Sequence, residues 1–175
     1  RFVVGTAGHI DHGKSSLIGA LTGISTDRLS EEKKRGISIV SGYAFLDYQG
    51  EKISIIDVPG HERFIKNMLA GVTGIDLVLL VVAADEGVMP QIKEHFEILN
   101  LLDIHRGLIV MTKCDLVDEE MQELVELDIQ ELIEDTPYED FPVFRASAKT
   151  KEGIQEIREF IFAEYDQSRE QEQFY

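Results

Sequence analysis

The hydrophobic positions of this 175-residue chain alternate between short continuous runs and longer stretches in which apolar residues recur every three or four positions. Short runs bounded by turn residues predict buried strands, and the longer periodic stretches predict amphipathic helices. The predicted strands are Phe2–Thr6, Gly42–Tyr48, Ile53–Asp57, Leu77–Ala83, Leu108–Thr112 and Val143–Ala146. The predicted helices are Ser15–Leu21, Glu62–Ala70, Gln91–Leu101, Glu119–Glu134 and Gly153–Glu164. This alternation predicts an α/β fold: a doubly wound, mostly parallel six-stranded sheet with helices on both faces and ligand-binding loops at the carboxyl ends of the strands.

Local patterns add detail to this fold. The run Leu77–Ala83 contains no polar residue, as expected for a central parallel strand that is covered on both faces. Gln49 and Gly50 separate two predicted strands and indicate a hairpin, so one edge strand should be antiparallel. Gly23 is placed to end the first helix. In the fourth helix one apolar stripe is predicted to face the core, and its members are Met121, Leu124, Val125, Ile129, Leu132 and Ile133.

The composition of the chain indicates whether it folds, in which compartment it is found and which partners it has. A hydrophobic fraction of 43% predicts a folded globule. No apolar run approaches the roughly 20 residues of a membrane span, and no signal-peptide layout opens the chain, so we expect a cytoplasmic protein without a membrane partner. The single cysteine, Cys114, cannot form an internal disulfide and fits a reducing compartment. The chain has 17 Lys and Arg residues and 33 Asp and Glu residues, so its net charge is −16. This charge repels nucleic-acid phosphates, so any RNA contact should be local or lie outside this segment.

Residues 8–15 read Gly-His-Ile-Asp-His-Gly-Lys-Ser between the first strand and the first helix, which is the phosphate-binding pattern G-x-x-x-x-G-K-[S/T] in its proper context. Gly8 and Gly13 permit backbone geometries in which successive N–H groups surround a phosphate, and the helix N-terminus adds positive potential. Lys14 can reach the β- and γ-phosphates, and the Ser15 hydroxyl can ligate Mg²⁺. The candidate phosphate-contacting residues are Asp11, His12, Gly13, Lys14, Ser15 and Ser16.

Three further motifs follow strands in chain order. In Asp-Val-Pro-Gly at residues 57–60, Asp57 can reach the magnesium shell, usually through water, and the Gly60 N–H can contact a γ-phosphate. In Thr-Lys-Cys-Asp at residues 112–115, the carboxylate can accept hydrogen bonds from guanine N1–H and the exocyclic amine, a donor pair that adenine lacks. Ser-Ala-Lys at residues 147–149 can offer a backbone N–H to guanine O6. The set indicates a domain that binds GTP and GDP, and the candidate base-contacting residues are Thr112, Lys113, Asp115, Ser147, Ala148 and Lys149.

The motifs together resemble the translational GTPases of the elongation factor Tu class, and the resemblance covers nearly the whole chain. Residues 8–14 look like the G-H-[V/I]-D-H-G-K loop of that class, residues 57–61 match its D-x-P-G-H motif, and residues 35–39 resemble its first switch, usually R-G-I-T-I. Residues 26–36 and 42–45, together with the Thr-Lys-x-Asp form of the base motif, are similar to the selenocysteine-specific elongation factors. The resemblance implies the P-loop GTPase fold.

The resemblance also assigns roles that the patterns alone do not. It implies that His61 orients the attacking water, and the candidate catalytic residues are then His61, Lys14 and Gly60. Ile10 and Ile37 match a hydrophobic gate that shields this histidine until a ribosome arrives, although both could equally be ordinary packing residues.

Two first-switch residues depart from the family pattern. Ser38 stands where threonine is usual but keeps a hydroxyl for Mg²⁺, so the candidate metal ligands are Ser15, Ser38 and Asp57. Val40 stands where the family often has an acidic residue. In the phosphate loop, Asp11 either hydrogen-bonds loop amides or belongs to a K⁺ site, because the matching residue in related translational factors has been linked to a monovalent cation near the phosphates.

The resemblance therefore implies a GTP-hydrolysing switch domain, slow alone and stimulated by the ribosome, in a factor that delivers selenocysteyl-tRNA. Most aminoacyl-tRNA contacts are expected in domains outside this chain. Residues 1–166 should form the GTP-binding domain, and residues 167–175 its edge or the start of a linker. One alternative is another translational GTPase, for general aminoacyl-tRNA delivery or initiation. Another is a GTP-sensing interaction module with negligible turnover. A nucleotide kinase or ATPase is disfavoured by Asp115 and by the absence of an arginine-rich lid.

Overall fold

The computed structural model describes residues 2–9, 13–23, 43–57 and 74–173. Six strands lie in these residues: β1 (Val3–Gly8), β2 (Tyr43–Tyr48), β3 (Glu51–Asp57), β4 (Leu77–Ala83), β5 (Gly107–Thr112) and β6 (Val143–Arg145). The α-helices are α1 (Lys14–Thr22), α2 (Gln91–Leu101), α3 (Glu119–Ile133) and α4 (Ile154–Gln173). The strands form one sheet in the order β2-β3-β1-β4-β5-β6, in which only β2 and β3 pair antiparallel. The predicted doubly wound sheet is confirmed.

Strand β4 lies near the middle of the sheet, and all seven of its residues are buried. Because successive side chains of a strand point to opposite faces, Leu79 and Val81 pack with α1 and α4, whereas Leu80 and Val82 pack with α2 and α3. Two hydrophobic layers therefore cover the two faces. Among the helices that the structure describes, none is both long and apolar enough to cross a membrane.

The predicted hairpin is present between β2 and β3. Gln49 and Gly50 have φ angles of 52° and 81°, which is the pair of left-handed residues that a tight two-residue hairpin turn requires. The turn brings Tyr48 opposite Glu51 and fixes the register of the whole antiparallel pair. Gly23 also ends α1 as predicted, with its N–H donating to the Gly19 carbonyl over 2.9 Å.

The tip of the hairpin is fastened to α4 by a set of polar and aromatic contacts that we call the clasp. The Tyr48 hydroxyl donates to Asp166 Oδ2 over 2.6 Å, and the Tyr48 ring stacks on Phe162 with 4.3 Å between ring centroids. Arg169 pairs with Glu51 over 3.1 Å. The clasp explains why α4 continues to Gln173 rather than ending at the predicted Glu164, since the polar residues beyond Glu164 still find partners on the sheet.

The predicted stripe of α3 is only partly correct. Val125, Ile129 and Ile133 are buried as expected, but Met121 and Leu124 are 45% and 52% exposed. Only a narrow face of the helix packs on the sheet, and Met121 and Leu124 lie at the side of that face. Apart from the end of α4, the bounds of the described elements lie within two residues of prediction. The predicted helix at residues 62–70 lies outside the described residues.

Gly153 marks a close approach of the chain just before α4. Its φ is +76°, and a Cβ built there would lie 2.0 Å from the carbonyl oxygen of Arg145 at the end of β6. Gly50 has a similar φ of +81° in the hairpin turn, but a Cβ there would meet no atom within 4 Å. An alanine at Gly153 would suffer both backbone strain and steric collision, whereas an alanine at Gly50 would suffer backbone strain alone.

We expect Gly153→Ala to lower the free energy of unfolding by about 3 kcal/mol or more, because left-handed strain and a backbone collision add. Gly50→Ala should cost only about 1 kcal/mol, because the strain acts alone. Urea denaturation of both variants, with nucleotide present at a fixed concentration, measures the difference. Equal losses would show that the close approach at Gly153 carries no energetic weight.

Candidate functional site

The strands that lead into the sequence motifs end at one edge of the sheet because they are parallel. In the ladder, Gly8 at the end of β1 lies beside Val81 of β4, and Ala83 at the end of β4 lies beside Thr112 at the end of β5. Strand β6 continues the series, with Met111 beside Arg145. The segments that follow β1, β5 and β6 therefore emerge side by side.

The phosphate-loop motif leads into the N-terminus of α1. Gly13 is the N-cap residue in the left-handed conformation, with φ 82° and ψ 26°, and supplies no side-chain cap. Because Gly13 offers no side-chain acceptor, the first amides of α1 can donate to an anion, and the helix dipole reinforces this attraction. Lys14 is only 5% exposed, whereas Ser15 is half-buried and Ser16 is exposed. A helix N-terminus that carries a lysine at its first position is suited to an anionic ligand.

The phosphate loop and the base motif are in contact although they lie about one hundred positions apart in the chain. A Cβ on Gly13 would lie 3.6 Å from Lys113 Cε and 3.8 Å from Thr112 Oγ1. Thr112 is the buried last residue of β5, and Lys113 adopts a left-handed φ of 58° as the chain turns away from the strand. The stem of Lys113 thus passes over the start of α1.

Asp115 is held by the Ser-Ala-Lys motif. The Ser147 hydroxyl donates to Asp115 Oδ1 over 2.8 Å and accepts the Thr150 N–H over 3.1 Å. Ser147 is fully buried, whereas Asp115 is exposed, so the carboxylate is fixed on its protein side and accessible on the other. The Ser147 N–H donates to the Glu152 carbonyl over 3.0 Å. The sequence motif indicated only a backbone donor here and gave no sign that the hydroxyl orients Asp115.

The turn that carries Asp115 is a single 3₁₀ turn, Cys114–Leu116, joined to β6 and α3. The Cys114 N–H donates to the Ala146 carbonyl over 3.2 Å. From α3, the Gln122 side-chain amide donates to the Cys114 carbonyl over 2.9 Å and to the Val117 carbonyl over 3.2 Å. Sequence analysis missed Gln122, because a glutamine in the first turns of a helix carries no signal of such a contact.

Several predicted site residues lie outside the described residues: Ile10, Asp11, His12, Ile37, Ser38, Gly60 and His61. Asp57 ends β3, where the ladder places it beside Thr6 of β1. Ala148 is half-buried and Lys149 is exposed in the loop after β6. In the part of the chain that the structure describes, no group of three or more His, Cys, Asp or Glu side chains is arranged to hold a metal ion.

Comparison with known proteins identifies relatives of this arrangement. Residues 1–167 match the family described as the elongation factor Tu GTP binding domain. The selenocysteine-specific elongation factor of Desulfomicrobium baculatum is 55% identical over 160 residues, which cover 91% of this chain and 25% of that protein.

Two solved structures resemble the fold and the sequence together. The crystal structure of a bacterial selenocysteine-specific elongation factor, EF-Sec, has a TM-score of 0.78 and 43% identity, covering 95% of this chain and 29% of the other. Translation elongation factor SelB from Methanococcus maripaludis, in complex with the GTP analogue GppNHp, has a TM-score of 0.75 and 30% identity, covering 94% and 34%. The chain thus spans about a quarter to a third of the length of the proteins that it matches.

Cys114 lies inside the same turn but is withdrawn from solvent. It is 1% exposed, and its thiol donates to the Met111 carbonyl with 3.3 Å between Sγ and the oxygen. Burial raises the pKa of the Cys114 thiol above its usual value, and this outweighs the opposing hydrogen bond from the Ala146 backbone. The neutral thiol is therefore favoured to a higher pH than in an exposed cysteine.

We expect Cys114 to react with iodoacetamide at pH 8 more slowly than the denatured chain by a factor on the order of a hundred or more, because access requires local opening. The native rate should also keep rising with pH beyond the range in which a free thiol levels off. Mass spectrometry of quenched samples measures both rates, and the denatured protein is the internal control. Rapid labelling of the native chain would show that the turn opens freely.

Proposed function

Because this chain belongs to the elongation factor Tu GTP-binding domain family, we propose that it is the GTP-hydrolysing switch domain of a translation elongation factor that delivers selenocysteyl-tRNA to the ribosome. The observation that carries the nucleotide part is the Asp115 carboxylate, which buried Ser147 fixes two positions after Lys113, the residue that lies against Gly13 of the phosphate loop. The delivery part is supported by the selenocysteine-specific relatives.

Base recognition follows from the chemistry of Asp115. Its carboxylate accepts hydrogen bonds from the N1–H and the 2-amino group of guanine, whereas adenine presents an acceptor at N1 and no 2-amino group. Lys113 covers one side of the nucleotide, consistent with its passage over the start of α1. Backbone N–H groups of Ala148 and Lys149 donate to guanine O6, because the Ser147 N–H is already committed to Glu152. Thr112 supports the same loop from the end of β5.

The phosphates occupy the N-terminus of α1. Backbone amides from Asp11 to Ser16 surround the β-phosphate, and Lys14 neutralises charge on the β- and γ-phosphates. This use of Lys14 agrees with its place at the first position of α1, where the helix N-terminus attracts anions.

We propose that Mg²⁺ binds with the phosphates, because Ser15 and Asp57 are residue types that carry the hard oxygen donors that this ion prefers. We propose Ser15 and Ser38 as its ligands, with Asp57 acting through water and phosphate oxygens completing the shell. When bound, the ion neutralises charge on the phosphates. Asp11 is the candidate residue for K⁺.

Hydrolysis requires little covalent chemistry from the protein, so positioning and charge neutralisation dominate. We propose that the His61 imidazole orients the attacking water and that Gly60 contacts the γ-phosphate. Ile10 and Ile37 shield His61 until the ribosome binds, which keeps the isolated domain slow.

The selection of tRNA must rest mainly on parts of the factor outside this chain. The chain carries a net charge of −16, which opposes phosphate contacts over most of its surface. It also covers only 25% to 34% of the proteins that it matches. We place the factor in the cytoplasm, where ribosomes and aminoacyl-tRNA meet.

Asp115→Asn tests the assignment of the base. The asparagine amide donates to the O2 of xanthine, whereas it cannot accept both guanine N–H groups, so the preference should move from GDP towards XDP. We expect GDP affinity to fall by about a hundredfold or more, because a charged hydrogen-bond partner is lost. Competition titration with GDP, XDP and ADP gives the three affinities. Wild-type protein that binds ADP as well as GDP would refute guanine recognition.

Delivery is tested in the full-length factor with GTP bound. We expect strong binding of selenocysteyl-tRNA, weaker binding of seryl-tRNA and of pooled elongator aminoacyl-tRNAs, and poor binding of every tRNA by the isolated domain. By linkage, selenocysteyl-tRNA should raise GTP affinity by the factor by which GTP raises tRNA affinity. Equal affinity across the tRNAs would instead identify a general translational GTPase and leave the nucleotide chemistry intact.

A further inference from the structure

We propose that Gln122 is a positioning residue for guanine selectivity, because its side-chain amide holds the turn that presents Asp115. The inference rests on the proposed recognition of guanine by Asp115. The Gln122 amide nitrogen donates to backbone carbonyls that flank Asp115. It acts by fixing the backbone on both sides of Asp115.

The hydrogen bonds of Gln122 flank the base-reading residue in the chain. Nε2 lies 2.9 Å from the Cys114 carbonyl oxygen and 3.2 Å from the Val117 carbonyl oxygen. Both partners are acceptors, so the amide must turn its nitrogen towards them and use one N–H for each. A single planar amide therefore joins the carbonyl of Cys114, which precedes Asp115, to the carbonyl of Val117, two residues after it.

The turn has few hydrogen bonds of its own that could do the same work. The Leu116 N–H donates to the Lys113 carbonyl over 3.0 Å, and the Val117 N–H reaches the Cys114 carbonyl only over 3.4 Å. A 3₁₀ turn of this length has poor hydrogen-bond geometry, so its shape depends on outside contacts. The Gln122 amide, at 2.9 Å from the Cys114 carbonyl, is the closer donor to that oxygen.

Gln122 can impose this shape because α3 is itself anchored. The Asp118 side chain caps the helix by accepting the Met121 N–H over 2.9 Å. One turn beyond Gln122, Glu126 accepts two bonds from Arg145 of β6, at 2.9 Å from Nε and 2.6 Å from Nη2. Val125 and Ile129 of the same helix are buried against the sheet. The amide therefore ties the turn to a rigid element.

Asp115 is thus positioned from two directions that serve different purposes. Ser147 orients the carboxylate itself, and Gln122 sets the backbone from which that carboxylate extends. A carboxylate that accepts two parallel hydrogen bonds is sensitive to small displacements, because both bonds must keep good length and angle together. Loss of the Gln122 contacts should therefore weaken the hydrogen bond from the 2-amino group of guanine more than the bond from N1–H.

The test compares GDP with IDP, the nucleotide that lacks only the 2-amino group. Gln122→Met removes both N–H donors while keeping length, and Gln122→Glu replaces them with a carboxylate that faces two carbonyl oxygens. Gln130→Glu is the matched control, since Gln130 is exposed on the same helix and the charge change is identical. Affinities for GDP, IDP and ADP are measured by displacement of a fluorescent GDP analogue, with thermal unfolding recorded for each variant.

We expect GDP affinity to fall about tenfold in Gln122→Met and further in Gln122→Glu, because one to two net hydrogen bonds are lost and repulsion is then added. The ratio of GDP to IDP affinity should shrink several-fold in both variants, and Gln130→Glu should match wild type. Equal weakening of GDP and IDP, or an unchanged ratio in Gln122→Met, would overturn the positioning role. Wild-type protein without a preference for GDP over ADP would instead refute the proposed function.

Discussion

The burial of β4 on both faces is the constraint on which the rest of this domain depends. A strand with no polar side chain must be covered by helices above and below, and parallel neighbours linked by such helices place all their carboxyl ends at one edge. The motifs that follow β1, β5 and β6 are therefore neighbours in space because the core is hydrophobic throughout its middle strand. The packing of core residues that take no part in binding therefore brings the binding motifs together.

Much of this could be predicted from the sequence because it is encoded in local signals. The continuous apolar run at Leu77–Ala83 predicted a central strand, and Gln49-Gly50 predicted the hairpin, since both signals depend on a few consecutive residues. The phosphate loop and Thr112–Asp115 were likewise readable as motifs, and the structure brings them into contact. The roles of individual motif residues stay predictions where no ligand contact tests them.

What the sequence did not predict depends on contacts between distant segments. The Ser147 hydroxyl reaches Asp115 from 32 positions away in the chain. Gln122 bonds to backbone carbonyls, which every residue has, so the side-chain pattern cannot indicate these contacts. Met121 and Leu124 fit a helical stripe, yet the face of α3 that meets the sheet is narrower than the apolar pattern. The extension of α4 was missed because its last turns are polar and are stabilised by partners on β2 and β3 rather than by core burial.

The clasp between the hairpin and α4 has a mechanical consequence. Residues 24–42 lead into β2 and residues 58–73 leave β3, so both segments are covalently attached to one hydrogen-bonded ribbon. At its far end that ribbon is held by Tyr48 on Asp166 and by Glu51 on Arg169, in the C-terminal half of α4. A displacement of the ribbon along its own length must either move the end of α4 with it or break these contacts. The hairpin can therefore transmit a displacement between the two segments attached to one of its ends and the C-terminal turns of α4 at the other.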